Sequence, residues 1–105
     1  MYQMADFSEI TRERIALTKH AKIRLSEREI TMDDILYAVR NGEIIRQYED
    51  DTPLPSCLVL GYDLKKKPVH MVLSKDDNFI YLITAYRPDA SEWDESFKIK
   101  TGGQK

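Results

Sequence analysis

At Gly42 the spacing of apolar residues changes from helical to alternating, and this switch limits the folds open to the chain. Three runs follow that are rich in β-branched and aromatic residues: SCLVLGYDL at 56–64, PVHMVLSKD at 68–76 and FIYLITAYR at 79–87. Only the turns KKK and Asp77-Asn78 separate them, so they read as consecutive hairpin-linked strands. A further strand is predicted in GEIIRQYE, which includes Ile45 and Tyr48, before EDDTPLP, where Pro53 and Pro55 stop any ladder.

The N-terminal side of Gly42 is helical. Thr18 reads as the N-cap of KHAKIRLSER, a helix to about Arg28 with Ala21 and Leu25 on its apolar row. After a short break at Glu29 and Ile30, Thr31 caps a second helix. Asp33 and Asp34 occupy its first turn, Ile35, Leu36, Ala38 and Val39 recur at helical spacing, and Gly42 ends it. Residues before Thr18 fit either a short helix or a first strand. Past Arg87-Pro88-Asp89, the four-residue spacing of Trp93 and Phe97 predicts a final helical turn, and GGQK at 102–105 a frayed tail. The expected fold is therefore α+β: two N-terminal helices on one face of a four-stranded antiparallel β-meander, in one domain spanning 1–105.

Charge narrows the function. The segment 11–28 is net +4 and the segment 29–64 net −6, within a chain of net −2. A protein that coats nucleic acid is usually basic throughout, so that role is disfavoured, while a local patch gripping one or two phosphates is allowed. No apolar run approaches the length of a membrane helix, and charges from Asp6 onward interrupt the first twenty residues, predicting no cleavable leader. Cys57 is the single cysteine, which predicts a reducing, cytoplasmic setting and a small buried hydrophobe. Neither His20 and His70 nor the carboxylates show zinc-ligand spacing, and four scattered glycines build no phosphate loop, so no metal or cofactor is expected.

Chemistry concentrates in two places. On the first helix His20, Arg24 and Arg28 recur every four residues and form one polar row. An imidazole beside two permanent cations suits proton transfer next to a clamped phosphate, as metal-independent RNA cleavage through a cyclic phosphate requires. The bland alternative pairs Glu27 with Arg24 and leaves His20 packing at the helix start. In the strands, His70 shares a face with Val72 and Ser74, while Thr84 and Tyr86 share a face near the strand end where Arg87 adds a cation. If that surface also meets the His20 row, one site would hold a base, an acid and phosphate donors. Trp93 reads as a core plug rather than a base-stacking platform.

These residues carry a resemblance. The helix start His20-Ala21 with Arg24 and Glu27-Arg28, Ile30-Thr31, Asn41-Gly42, Pro53/Pro55-Ser56, Pro68-Val69-His70, and Thr84-Ala85-Tyr86-Arg87-Pro88-Asp89 with Trp93 together resemble the small bacterial family termed domain of unknown function 4258, over about residues 17–100. The resemblance implies a fold of the RelE and barnase type, a toxin acting as an endoribonuclease, and a cognate antitoxin as partner. It leaves RNA, the ribosome or a second copy of the chain open as further partners, and no membrane. Carried onto this sequence, it makes His20, His70 and Tyr86 the catalytic candidates, with Arg24, Arg28, Thr84 and Arg87 binding RNA phosphate. The competing expectation is a non-catalytic protein-interaction module whose histidines are structural.

Overall fold

The computed structural model describes residues 10–50, 52 and 54–99. Pro53 and the 102–105 tail lie outside the described residues. A 3₁₀ turn (Arg12–Arg14) leads into β1 (Ile15–Leu17), α1 (Lys19–Arg28), α2 (Met32–Arg40), β2 (Glu43–Tyr48), β3 (Ser56–Tyr62), β4 (Pro68–Lys75) and β5 (Ile80–Tyr86).

Both helices start and stop where local chemistry dictates. The Thr18 hydroxyl oxygen accepts from the Ala21 N–H at 3.0 Å and donates to the Ile83 carbonyl at 3.0 Å, capping α1 while fastening it to β5. Glu29 closes α1 in the left-handed region at φ 56°, its N–H bonding the Ser26 carbonyl while the Ile30 N–H reaches back to Leu25. Buried Ile30 then supplies the apolar contact such a stop needs. Thr31 and Asp34 form a reciprocal capping box at 3.0 and 3.1 Å, with Asp34 doing the work more often given to glutamate.

Among the described residues the sheet has five strands, in the order β1-β5-β4-β3-β2. The expectation of four antiparallel strands is corrected here: β2 to β5 form the antiparallel meander, and β1 adds a fifth, parallel strand on β5, with Ile15 opposite Ile80 and Leu17 opposite Leu82. Three residues with one buried side chain are too short to show a period of two, which is why the segment reads equally as helix or strand. In β2, where the register shifts between Ile44 and Arg46, Ile44 lies opposite core residue Val59 and packs on the core. The helical turn expected at Trp93 to Phe97 does not form. Phe97 has φ 62°, which a helix cannot include, and the Asp94 carboxylate binds the Lys98 and Ile99 N–H groups instead.

One core lies between the helices and the sheet. Ala21, Leu25, Ile35, Ala38 and Val39 pack against Cys57, Val59, Met71, Leu73, Leu82 and Ala85. The approach is closest at Gly61, where an added Cβ would lie 2.2 Å from the Ala38 carbonyl oxygen, so α2 sits directly on the β3 backbone. Because side chains alternate, His70, which neighbours Val69 and Met71, points to the other face, together with Val72, with Leu58 and Leu60 opposite them on β3 and with Thr84 and Tyr86 opposite them on β5. That second face is also covered: Leu58 and Leu60 are buried, and Trp93 lies over His70.

Candidate functional site

The two groups of candidate residues stand on opposite sides of the sheet. His20 is exposed on α1, which packs on the core face through Ala21 and Leu25. Arg24 lies one turn on: its Nε donates to His20 Nε2 at 3.4 Å, and its Nη1 donates to Glu27 at 2.8 Å. His20 thus turns Nε2 toward the Arg24 guanidinium, and the imidazole edge is reachable from solvent. Arg28, exposed at the end of α1, continues the row. These three side chains can offer one base and two cations to an anion arriving from solvent.

The second group is internal. His70 has no solvent exposure. Its Nε2 is 2.8 Å from the Phe97 carbonyl oxygen and its Nδ1 is 3.2 Å from the Tyr86 hydroxyl. A carbonyl only accepts, so Nε2 holds the proton, and in the neutral ring Nδ1 is left to accept from Tyr86 O–H. Trp93 stands edge-on to the imidazole at 4.4 Å and 88°, and the Tyr86 ring does so at 5.2 Å and 73°. Burial lowers the His70 pKa, with the Phe97 carbonyl pulling the other way, so the ring is neutral at neutral pH. Burial raises the pKa of the Tyr86 phenol, and the Tyr48 phenol and the Glu92 charge raise it further while the Arg46 cation acts in the opposite sense.

Thr84 lies opposite Val72, one cross-strand row from the His70 and Tyr86 pair. Arg87 is committed: Nη2 pairs with the buried Asp63 carboxylate at 2.8 Å and Nη1 donates to the Pro68 carbonyl at 3.4 Å. Sequence reasoning missed Asp63. Its Oδ1 also accepts from the N–H groups of Lys65 at 2.8 Å and Lys67 at 3.0 Å, shaping the hairpin turn in which Lys66 takes φ 67°. Although burial pushes the Asp63 pKa up, these hydrogen bonds and Arg87 outweigh it and hold the carboxyl below its ordinary value. An aspartate two residues before a lysine run at a hairpin was the available signal. The Phe97 carbonyl left none, since backbone acceptors are invisible to residue type. Trp93 is buried, as expected of a plug.

The structure thus brings His70, Tyr86 and Thr84 together and sets His20, Arg24 and Arg28 apart from them. The joint surface required by a two-histidine site is absent because α1 packs on the core face. Among the described residues no cluster of three or more His, Cys, Asp or Glu side chains is arranged to hold a metal ion. Cys57 is buried and its thiol is pushed up to about 12, which keeps it protonated. No helix is long and apolar enough to cross a membrane among the described residues.

Comparison with known proteins returns no match among curated proteins and none among solved structures. A family model does match, over residues 17–87, from the last residue of β1 to the residue after β5. That span takes in both helices and all four strands of the meander, and the chain therefore belongs to the family described as Domain of unknown function (DUF4258).

Proposed function

We propose that this protein is a metal-independent endoribonuclease, the toxin of a toxin–antitoxin pair, whose reacting groups are the exposed row on α1. The observation that carries the reading is the solvent-facing His20 imidazole, with Nε2 3.4 Å from the Arg24 guanidinium Nε. In the proposed step Nε2 takes the proton of a ribose 2′-OH. The 2′-oxygen then bonds to the adjacent phosphorus, the bond from phosphorus to the 5′-oxygen breaks, and the departing oxygen takes a proton from water. Arg24 and Arg28 neutralise the charge that builds on the phosphoryl oxygens. At 3.4 Å the contact between Arg24 and His20 is long enough for an incoming hydroxyl to replace it. Two helices on one face of an antiparallel meander support the RelE and barnase type of layout, with β1 as an added edge. His70 lacks solvent access and serves here as a packing residue for Tyr86 and Trp93.

The test is inducible expression in a bacterial host, following growth and mapping RNA 5′ ends, for wild type, His20→Ala and Arg24→Ala at matched protein levels. Growth arrest with new RNA ends that both substitutions abolish supports the reading; normal growth and intact RNA from folded wild type overturn it. A second reading, a protein-interaction module without catalysis, is favoured by the complete burial of His70 with both ring nitrogens bonded. It expects the same cellular behaviour from wild type and both variants.

A further inference from the structure

Beyond Arg87 the chain leaves the sheet and crosses back over the face opposite the helices. Residues 88–99 form turns, bends and an isolated bridge at Trp93. Their hydrogen bonds are mostly local: Asp89 with Ser91 and Glu92, and Asp94 with Ser96, Phe97, Lys98 and Ile99. The side-chain anchors to the sheet are few. Trp93 packs on His70, the Phe97 carbonyl accepts from His70 Nε2, and Lys98 pairs with Glu43 of β2 at 3.0 Å in an exposed position. Phe97 makes its contact from a left-handed backbone, which costs a bulky residue free energy and persists where surroundings enforce it. The family match ends at Arg87, where this strap begins.

A segment hydrogen-bonded largely to itself, buried at Pro88 and Trp93, in a backbone bridge at Trp93 and left-handed at Phe97, has the makings of a unit that opens without unfolding the sheet. What it covers is chemically specific. A carbonyl oxygen sits on the Nε2–H of His70, in the place an anionic oxygen would take. Tyr86 is influenced by two charges of opposite sign: Arg46, which belongs to β2 and stays, and Glu92, which belongs to the strap and would leave with it. Lifting the strap therefore removes a negative charge and frees a donor in one movement.

We infer that residues 88–99 are an occluding strap over a latent anion site, in which the Phe97 carbonyl holds the place of an oxyanion on His70 Nε2, on the sheet face that also carries Tyr86 and Arg46. The site lies across the sheet from α1 and is independent of the ribonuclease reading.

The test uses the full chain: carbethoxylation of histidines by diethyl pyrocarbonate mapped by mass spectrometry, alongside amide exchange of Met71 and Leu73 in β4, through a sub-denaturing urea series. The expected result is His70 modification at least about 100-fold faster than β4 opening and nearly independent of urea. Trp93→Ala should raise the His70 rate at least about tenfold while leaving β4 exchange within about threefold, and inorganic phosphate should slow it again. His70 reacting only at the rate and urea dependence of β4 opening overturns the strap, and this arm needs no variant. A His70 rate in Trp93→Ala that ignores phosphate overturns the anion site. RNA cleavage enters neither readout, so failure of the α1 reading would be seen separately.

Discussion

Acidification from pH 7.5 to 5.0 is expected to weaken the native state through His70. Its imidazole is wholly buried, neutral and bonded at both nitrogens, and burial holds its pKa below the ordinary 6.5. Below that ordinary value the unfolded chain takes up a proton that the native state refuses. The stabilising contribution of His70 is therefore complete above about pH 6.5 and is lost as pH falls toward and through the folded value. While only the unfolded state is protonated the slope is one proton, about 1.4 kcal/mol per pH unit, which limits the loss to about 2 kcal/mol between pH 6.5 and 5.0. Asp63, Asp76, Asp89 and Asp94, whose pKa values are held low, lose their contributions below the ordinary carboxylate value of 3.8, outside this window. Urea unfolding followed by circular dichroism at half-unit pH steps would measure the effect. At roughly 1–1.5 kcal/mol per molar urea for a chain this small, the midpoint should fall by up to about 1.3–2 M. His70→Gln keeps an amide N–H to offer Phe97 but cannot titrate, so its stability, lower at neutral pH, should change less across the window. A level wild-type profile, or the same slope in His70→Gln, would refute the assignment of a neutral buried imidazole.

Three further outcomes follow from packing and charge. Gly61→Ala places a methyl 2.2 Å from the Ala38 carbonyl oxygen, so α2 must lift from β3; overpacking of about 1–3 kcal/mol should lower Tm by roughly 5–20 °C in a thermal melt, and a Tm within about 2 °C of wild type would show that α2 is seated differently. Asp63→Ala strips Arg87 and the Lys65 and Lys67 N–H groups of their acceptor and should cost about 2–3 kcal/mol at neutral pH, after discounting for the partial exposure of Arg87. Because the Asp63 pKa is lowered, the gap between variant and wild type should be full above the ordinary carboxylate value and shrink as pH falls through the folded value, as denaturant titrations down to pH 3 would show. Cys57, buried and with its thiol raised to about 12, should resist a disulfide reagent at pH 8 until the protein unfolds, and prompt labelling of native protein would contradict its burial.

The elements legible in the sequence are those whose signals are local. Thr18 and Thr31 cap their helices through side chains that residue type alone reveals, and α1 ends at Arg28 as read. The alternation that put Val69, Met71 and Leu73 on one face and His70 on the other also holds. Partnership over distance was not legible. Ile15 to Leu17 become a strand only because β5 offers an edge, and nothing within those residues encodes it. The separation of His20 from His70 depends on which face of the sheet receives the helices. Period-two alternation states that two faces exist and leaves open which of them is covered by what. Phe97 shows the same limit at the backbone: its φ of 62° follows from the path of residues 88–99 across the sheet and from no preference of phenylalanine.

The parallel pairing of β1 with β5 also sets an order of assembly. The hydrogen bond from Thr18 to Ile83 spans 65 residues, and among the described residues β1 has no other strand beside it. During synthesis at about 5–20 residues per second, this edge strand would wait roughly 3–13 s for its partner to be made, while the helices and the β2–β3 hairpin could already be forming. Closure then comes late and joins the two ends of the family-matched span at once, so a chain stopped before Ile80 would lack the partner of β1, the anchor of the α1 cap and the Tyr86 side of the internal site together.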